Sequence, residues 1–386
     1  MNPRERFITA LEGETPDRIP LFFWGINGIL LQKIFNKPIF QRNPIPYLEM
    51  CAKGKMEEAH LKIAEETIEL GEKFDLDAVR EVNQIGTWLI DPRWEFFPKN
   101  SHVIKRGNNI WEIDNTLVQY LPATNILLSF KPFLPKDPDK AREILEERFD
   151  DVNIIDQETL VIEKISKKLK GKRFIIGVVQ GTFLPFASPS THMFTWIYKY
   201  PNLFRRWMEY YLKVNIERAK AKIDAGADAI VENDDYADNH GPMIPPKLFK
   251  EYILPNLKKL CDVVHSRGAY FIKHTDGNIN PILDDIISSG IDGLHPLEKN
   301  AKMDIAFIKA KYGDKICVLG NIDPILGGQK DSSYVIKETL DLIKNVAPNG
   351  GYVMTTSNVI TPDARIENFY AWLNTLKKYG RYPIKI

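Results

Sequence analysis

The chain has 386 residues, 44% hydrophobic and 27% charged, an ordinary globular balance. Lysine and arginine number 52 against 51 aspartates and glutamates, a net charge of +1, so no global field recruits nucleic acid or an anionic membrane. Three widely spaced cysteines (Cys51, Cys261, Cys317) argue against a disulfide framework, no apolar run is long enough to cross a bilayer, and the opening MNPRERFITALEGETPDRIP lacks an apolar signal core; the expectation is a cytoplasmic protein.

Along the chain, short apolar runs alternate with amphipathic helical stretches. That alternation predicts βαβ units and a parallel sheet. Eight strands are predicted: Arg18–Gly25, Leu76–Val82, Phe174–Gln180, Ala227–Asp234, Tyr270–His274, Gly293–Leu297, Ile316–Gly320 and Gly351–Thr355. Helices are predicted between them, at Lys55–Lys73, Pro201–Ala225, Pro246–Ser266, Ile279–Ser289, Asp304–Lys311, Tyr334–Asn345 and Ala364–Lys378. Four strands open directly after a glycine turn (AGADAIV, RGAYFIK, SGIDGLH, NGGYVMT), where a helix C-cap belongs. The fold class this implies is α/β, a TIM-type (β/α)8 barrel forming one domain over residues 1–386. The rhythm breaks at roughly residues 84–172. Trp88, Trp94 and Trp111 lie there, the period-two stretch NNIWEIDNTLVQYLP predicts a hairpin, and Pro132, Pro135 and Pro138 lead into two charged helices. This reads as an insertion between strands two and three; a separate lid subdomain is the competing reading.

In such a barrel the chemistry sits at the carboxyl ends of the strands. Strand one ends at Trp24, strand two near Arg80, Glu81 and Asn83, and strand three at Gln180. Strand four ends in Glu232, Asn233, Asp234 and Asp235, strand five in His274, Thr275 and Asp276, and strand six at Glu298. Asn321 and Asp323 close strand seven, and Thr355, Thr356, Ser357 and Asn358 close strand eight. Acids or amides after so many strands exceed what helix caps require. His274 and Asp276, two residues apart, leave an extended segment on one side, and Glu298 follows about one βα unit later, so the three side chains can converge. They form a permitted zinc ligand set with an open position, or else a histidine–carboxylate hydrogen bond that orients an acid or base. Of Asp234 and Asp235, successive along a strand, at most one should face the pocket. His295 reads as a core or rim histidine and Cys317 as inert core. The chain has no Walker loop, no GxGxxG after a strand, no GxSxG and no HExxH.

These residues resemble the uroporphyrinogen decarboxylase superfamily of TIM barrels, which also holds zinc-dependent, corrinoid-linked methyltransferases and, more distantly, cobalamin-independent methionine synthases. The likeness runs through RERFITALEGETPDRIPLFFW, GADAIVENDDYADNHGPMIPPKLFKEYILPNLKKL, HTDGNINPILDDIISSGIDGLHPLE, LGNIDP and NVITPDARIENFYAWLNTLKKYG, essentially the whole chain apart from 84–172. Two departures stand out. The decarboxylases' arginine-rich segment after strand one is here GINGILLQKIF, and their strand-eight histidine falls on Asn358. Without those arginines a tetracarboxylate porphyrinogen lacks its electrostatic partners. The methyltransferases' His-x-Cys is here His274 and Asp276, with Ser357 or Thr355 near their second cysteine.

The resemblance therefore implies an enzyme moving a methyl group from a small donor, such as a methoxylated aromatic, to a corrinoid carried on a partner protein. Zinc would sit on His274, Asp276 and Glu298. Glu298 or Asp234 would protonate the departing oxygen, and Trp24, Asn83, Gln180, Asp235, Asn321, Ser357 and Asn358 would contact the substrate. The alternative is a cofactor-free decarboxylase or lyase acting on a non-porphyrin substrate, with Arg80 or Lys273 gripping its carboxylate. A non-catalytic binding protein that kept the barrel is the second rival. Neither nucleic acid nor membrane is expected as a partner.

Overall fold

The structure is a computed structural model that describes residues 1–82, 99–129, 135–154, 156–183 and 192–386. Eleven strands are seen among these residues: β1 (Ala78–Arg80), β2 (Val103–Lys105), β3 (Ile110–Ile113), β4 (Thr116–Leu121), β5 (Ile126–Ser129), β6 (Phe174–Gln180), β7 (Ala229–Asn233), β8 (Tyr270–His274), β9 (Gly293–His295), β10 (Cys317–Ile322) and β11 (Tyr352–Thr356). Seven form one sheet in the order β1-β6-β7-β8-β9-β10-β11, every neighbour parallel. Helices follow the strands and cover the outside of the curled sheet, giving the expected α/β barrel architecture.

The predicted first strand does not form as a regular strand. Pro20 has no N–H to give a ladder, and the Leu21 N–H turns instead to Asp77 Oδ2 at 2.7 Å. The segment still fills the gap between β11 and β1. Met354 N donates to Pro20 O, Phe22 N to Met354 O and Asp77 N to Leu21 O.

Alternation along the strands sorts the core in two. Inside the barrel lie Phe22, Trp24, Ala78, Phe174, Ile176, Val178, Ala229, Val231, Ile272, Cys317, Leu319 and Val353, and the first helix (Pro3–Leu11) plugs the lower end with Phe7, Ala10 and Leu11. The odd-numbered Ile175 and Val179 and the even-numbered Ile230 face outward, into the layer shared with the helices. Cys317 is buried in the barrel interior, as read from the sequence. The helix predicted over Pro246–Ser266 widens to a π turn at Phe249–Ile253 before Leu254–Ser266, where Pro255 has no N–H to complete an α turn.

Between β1 and β6 a four-stranded antiparallel sheet, β2-β3-β4-β5, stands where a hairpin was predicted. Its inner face (Val103, Trp111, Ile113, Val118, Leu127) packs on Tyr47, Leu48, Met56, Ala59 and Ile63. Two helices follow, Pro138–Arg148 and Gln157–Leu169; the second buries Val161, Ile162, Ile165 and Leu169 in the main core. Trp88, Trp94 and Pro132 lie outside the described residues. Among the described residues no helix is long and apolar enough to cross a membrane.

Candidate active site

Strand register sets the floor of the barrel mouth. Gln180, Asn233, His274 and His295 are paired side by side across β6, β7, β8 and β9, and Asn321 pairs with Thr355 across β10 and β11. All carry the inward parity of the interior residues below them, as do Arg80 on β1 and Trp24. The apolar barrel thus ends in one polar layer.

The two histidines form a relay. His295 Nε2 lies 3.0 Å from Thr356 O, which can only accept, so Nε2 carries the proton. Burial holds His295 neutral, pushed down to about 3, so its Nδ1 is an acceptor. His274 Nδ1, 2.7 Å away, must then be the donor. That leaves the lone pair on His274 Nε2. Burial, then the neighbouring His295, which would repel a second imidazolium, and the cations Lys273 and Arg80, hold His274 well below the usual histidine range. Trp24 locks both rings, stacking on His274 at 4.3 Å and His295 at 4.1 Å, and its backbone N–H donates to Thr355 Oγ1.

The free Nε2 faces two acids, Asp235 Oδ1 at 3.8 Å and Asp276 Oδ1 at 3.7 Å. Asp276 N donates to Asp235 Oδ1 and Asn358 Nδ2 to Asp276 Oδ2, which aims both carboxylates; Asp276 Oδ1 is buried with no hydrogen-bond partner. Burial pushes Asp276 up to about 9, reinforced by the charges of Asp235 and Glu298 and opposed by the Asn358 hydrogen bond. Burial also raises Asp235, against the Asp276 N–H. One donor atom from each of Asp235, His274 and Asp276 fits within 4.8 Å, a group that could hold a cation. Ligands about 2.1 Å from a tetrahedral ion stand about 3.4 Å apart, so the two carboxylate distances from His274 Nε2, 3.8 and 3.7 Å, are within a few tenths of an ångström of what a zinc-like ion requires.

Glu298 does not join that trio. Leu297 before it adopts a left-handed φ of 59°, and the carboxylate accepts from Gly277 N at 3.2 Å. Burial raises it, with Asp235 adding to the effect. Gly277 (φ 87°) has to be glycine, because a Cβ there would sit 2.4 Å from Ala237 O. Asp234 turns the other way from Asp235. It is wholly buried, accepts from Phe183 N at 2.7 Å, and lies where a Cβ on Gly181 would overlap it. Lys273 also faces outward, paired with Glu232 and donating to Asp234 O, which withdraws it as a carboxylate anchor. Gln180 is buried with neither amide atom bonded, and Asn321 donates to Leu297 O while its Oδ1 has no partner. Ser357 is buried, with its N–H on Ile322 O. Asn83 lies outside the described residues. Sequence reasoning gave Asp235 a substrate contact and read His295 as core or rim; the structure sets the first beside His274 and makes the second its hydrogen-bond partner.

Residues 131–379 match the family model described as uroporphyrinogen decarboxylase (URO-D). The chain belongs to the uroporphyrinogen decarboxylase family. Its relatives in that family include a uroporphyrinogen decarboxylase of Coxiella burnetii, 24% identical over 191 residues (48% of this chain, 50% of the relative), and the methylcobamide:CoM methyltransferase MtaA of Methanosarcina barkeri, 28% identical over 188 residues (48% and 51%). The chain thus spans about half the length of these curated relatives. Among solved structures, a methyltransferase from Methanosarcina mazei shares the barrel over 98% of this chain and 99% of its own, with a TM-score of 0.71 at 20% identity.

Proposed function

We propose that this member of the family is a methyltransferase that moves a methyl group from a small methoxylated donor to the cobalt(I) of a corrinoid carried by a partner protein. The observation that carries the reading is the bare Nε2 of His274 facing two carboxylates at 3.7 and 3.8 Å, one of them with a buried, unpartnered oxygen. Asp235, His274 and Asp276 would hold a divalent ion such as zinc. Bound there, it would supply Lewis-acid polarisation of the donor oxygen. The nitrogen-and-oxygen donor set suits that task better than holding a thiolate.

In the transfer, the methyl–oxygen bond breaks with its electron pair passing to oxygen, the cobalt(I) pair forms the new carbon–cobalt bond, and the oxygen takes a proton. Glu298 is the acid suited to give that proton, since it stands beside the trio with a raised pKa while Asp234 is buried behind the loop after β6. The three free, buried cysteines agree with a reducing cytoplasm, where cobalt(I) is maintained.

The test is methyl transfer to added cob(I)alamin from a panel of methoxylated aromatics, followed by absorbance, together with elemental analysis of the purified protein. Transfer that disappears in His274→Ala supports the reading. Metal-free protein and no transfer from any donor would sink it. A decarboxylase acting on a small acid is the second reading, favoured by the buried positive charge of Arg80 at the mouth. Metal-independent release of carbon dioxide would establish it.

A further inference from the structure

The regular pairing of β7 with β8 ends at Asn233 and His274, and Asp235 and Asp276 both lie beyond it. Their separation is set instead by the residues that flank them. Asp234 and Tyr236 stand on either side of Asp235, and Lys273 and Thr275 on either side of His274. All four are at most 2% exposed, and alternation turns them away from the mouth. Lys273 Nζ, ion-paired with Glu232, donates to Asp234 O at 2.7 Å. Thr275 Oγ1 accepts from Tyr236 N at 2.9 Å and donates to Asp276 O at 3.3 Å. Tyr236 is held at its far end as well: its hydroxyl donates to Glu232 Oε1 at 3.3 Å, and Lys273 Nζ lies 3.7 Å from the centre of its ring.

We infer that Lys273 and Thr275 clamp the end of β7 to the end of β8 from the outer face, and that Thr275 is the positioning residue that holds Asp235 and Asp276 at a fixed distance from His274. The place needs a group that accepts and donates at once, since it takes the Tyr236 N–H and gives its own proton to Asp276 O; a hydroxyl does both. Valine has the same shape and does neither. In a buried layer a lost bond leaves its partner unsatisfied, so the two strand ends would shift to recover one. The spacing that the clamp protects is narrow. Metal–ligand distances tolerate only about ±0.2 Å, and Asp235 Oδ1 and Asp276 Oδ1 stand 3.8 and 3.7 Å from His274 Nε2. The inference rests on the metal reading only for what that spacing serves.

The test uses the full chain, without turnover. In metal-free protein, residue-resolved amide hydrogen exchange follows the Asp276 N–H, which donates to Asp235 Oδ1 at 2.7 Å, with Ile272 in the middle of β8 as the control. Thr275→Val should exchange the Asp276 amide at least ~10-fold faster and leave Ile272 unchanged. Calorimetry with zinc should show the same variant losing ~10–100-fold in affinity, and Thr275→Ser should restore both readings to within ~3-fold of the parent. Thr275→Ala repeats the comparison where Thr275→Val does not fold. Asp276 exchanging at the parent rate in the valine or alanine variant, Ile272 loosening along with it, zinc held within ~3-fold of the parent, or serine doing no better than valine each overturn the inference. A parent protein that binds no zinc removes the metal reading alone, and the exchange comparison then decides the clamp by itself.

Discussion

Replacing Asp276 by asparagine should stabilise the metal-free protein and weaken its hold on metal at the same time. The carboxyl is pushed up to about 9 by burial and by Asp235 and Glu298. An unfolded aspartate titrates near 3.9. At pH 7 the unfolded chain has lost this proton and the folded chain has kept it. Each of the roughly 3 intervening pH units is worth 1.36 kcal/mol, so folding is opposed by up to about 4 kcal/mol. The sign follows from the raised value: the folded state binds the extra proton, so stability is greatest below about pH 4 and falls as the pH rises toward about 9. Asparagine keeps an acceptor for Asn358 Nδ2 but has no proton to retain. Relaxation of the neighbouring acids trims the gain, and about 2–4 kcal/mol is expected at pH 7, vanishing near pH 4. Urea unfolding of chelator-treated protein at both pH values measures it. Calorimetry with zinc should show the same variant losing at least ~100-fold in affinity, more than the loss of an outer-shell partner. A metal-free variant less stable than the parent at pH 7, or a gap that does not change with pH, would refute the crowding of these three carboxylates.

Other consequences are reached by simpler measurements. His295→Phe keeps a ring against Trp24 but orphans His274 Nδ1 and Thr356 O, so metal-free stability should fall by about 1–3 kcal/mol and zinc affinity ~10–100-fold; an unchanged affinity would mean the relay does not orient His274. Lys222→Met breaks the wholly buried Lys222–Glu81 ion pair, and denaturant unfolding should show a loss of about 3–5 kcal/mol; a loss under about 1 kcal/mol would mean that the pair is not desolvated. The outer face of the β2–β5 sheet carries Ile104, Ile110, Leu117, Ile126 and Leu128, each between 39% and 46% exposed. Changing Leu117 and Leu128 together to lysine should reduce light scattering in concentrated solution and leave unfolding unchanged, whereas a large drop in stability would show that this face is covered.

The barrel was legible because parallel strands buried on both faces read as unbroken apolar runs, and the glycine turns before them mark each boundary. The same property hid the site. In Ala229, Ile230 and Val231 both parities are apolar, so nothing in the sequence says which of Asp234 and Asp235 continues the inward row. Register decides it, and the inward row runs Ala229, Val231, Asn233 and on to Asp235. Glu298 stands apart from the trio for a local reason. Extended geometry was carried past the end of β9, but the left-handed Leu297 turns the chain and hands the carboxylate to Gly277 N. The partnership of His295 with His274 depends on the pairing of β8 with β9, which no spacing in the sequence specifies. Pro20 was the visible warning that the first strand would not be regular, and the period-two pattern at 110–121 revealed β3 and β4 but not the short β2 and β5 beside them.

The chemistry of the mouth follows from the barrel beneath it. An apolar interior capped by one polar layer disfavours charge of either sign, so the same burial drives His274 and His295 toward neutrality and the acids toward protonation. Without a cation, burial works against negative charge on Asp235, Asp276 and Glu298 alike. Were a divalent ion held there, His274 would offer it the Nε2 lone pair that the Thr356–His295 hydrogen bonds leave exposed, and Asp276 would give up its proton, so metal affinity would rise with pH. Arg80 stays charged throughout, on the far face of Trp24 from the histidines. The indole therefore stacks against rings whose neighbouring acids can change charge and against a guanidinium whose charge does not change with pH, so one side chain fixes the geometry of both.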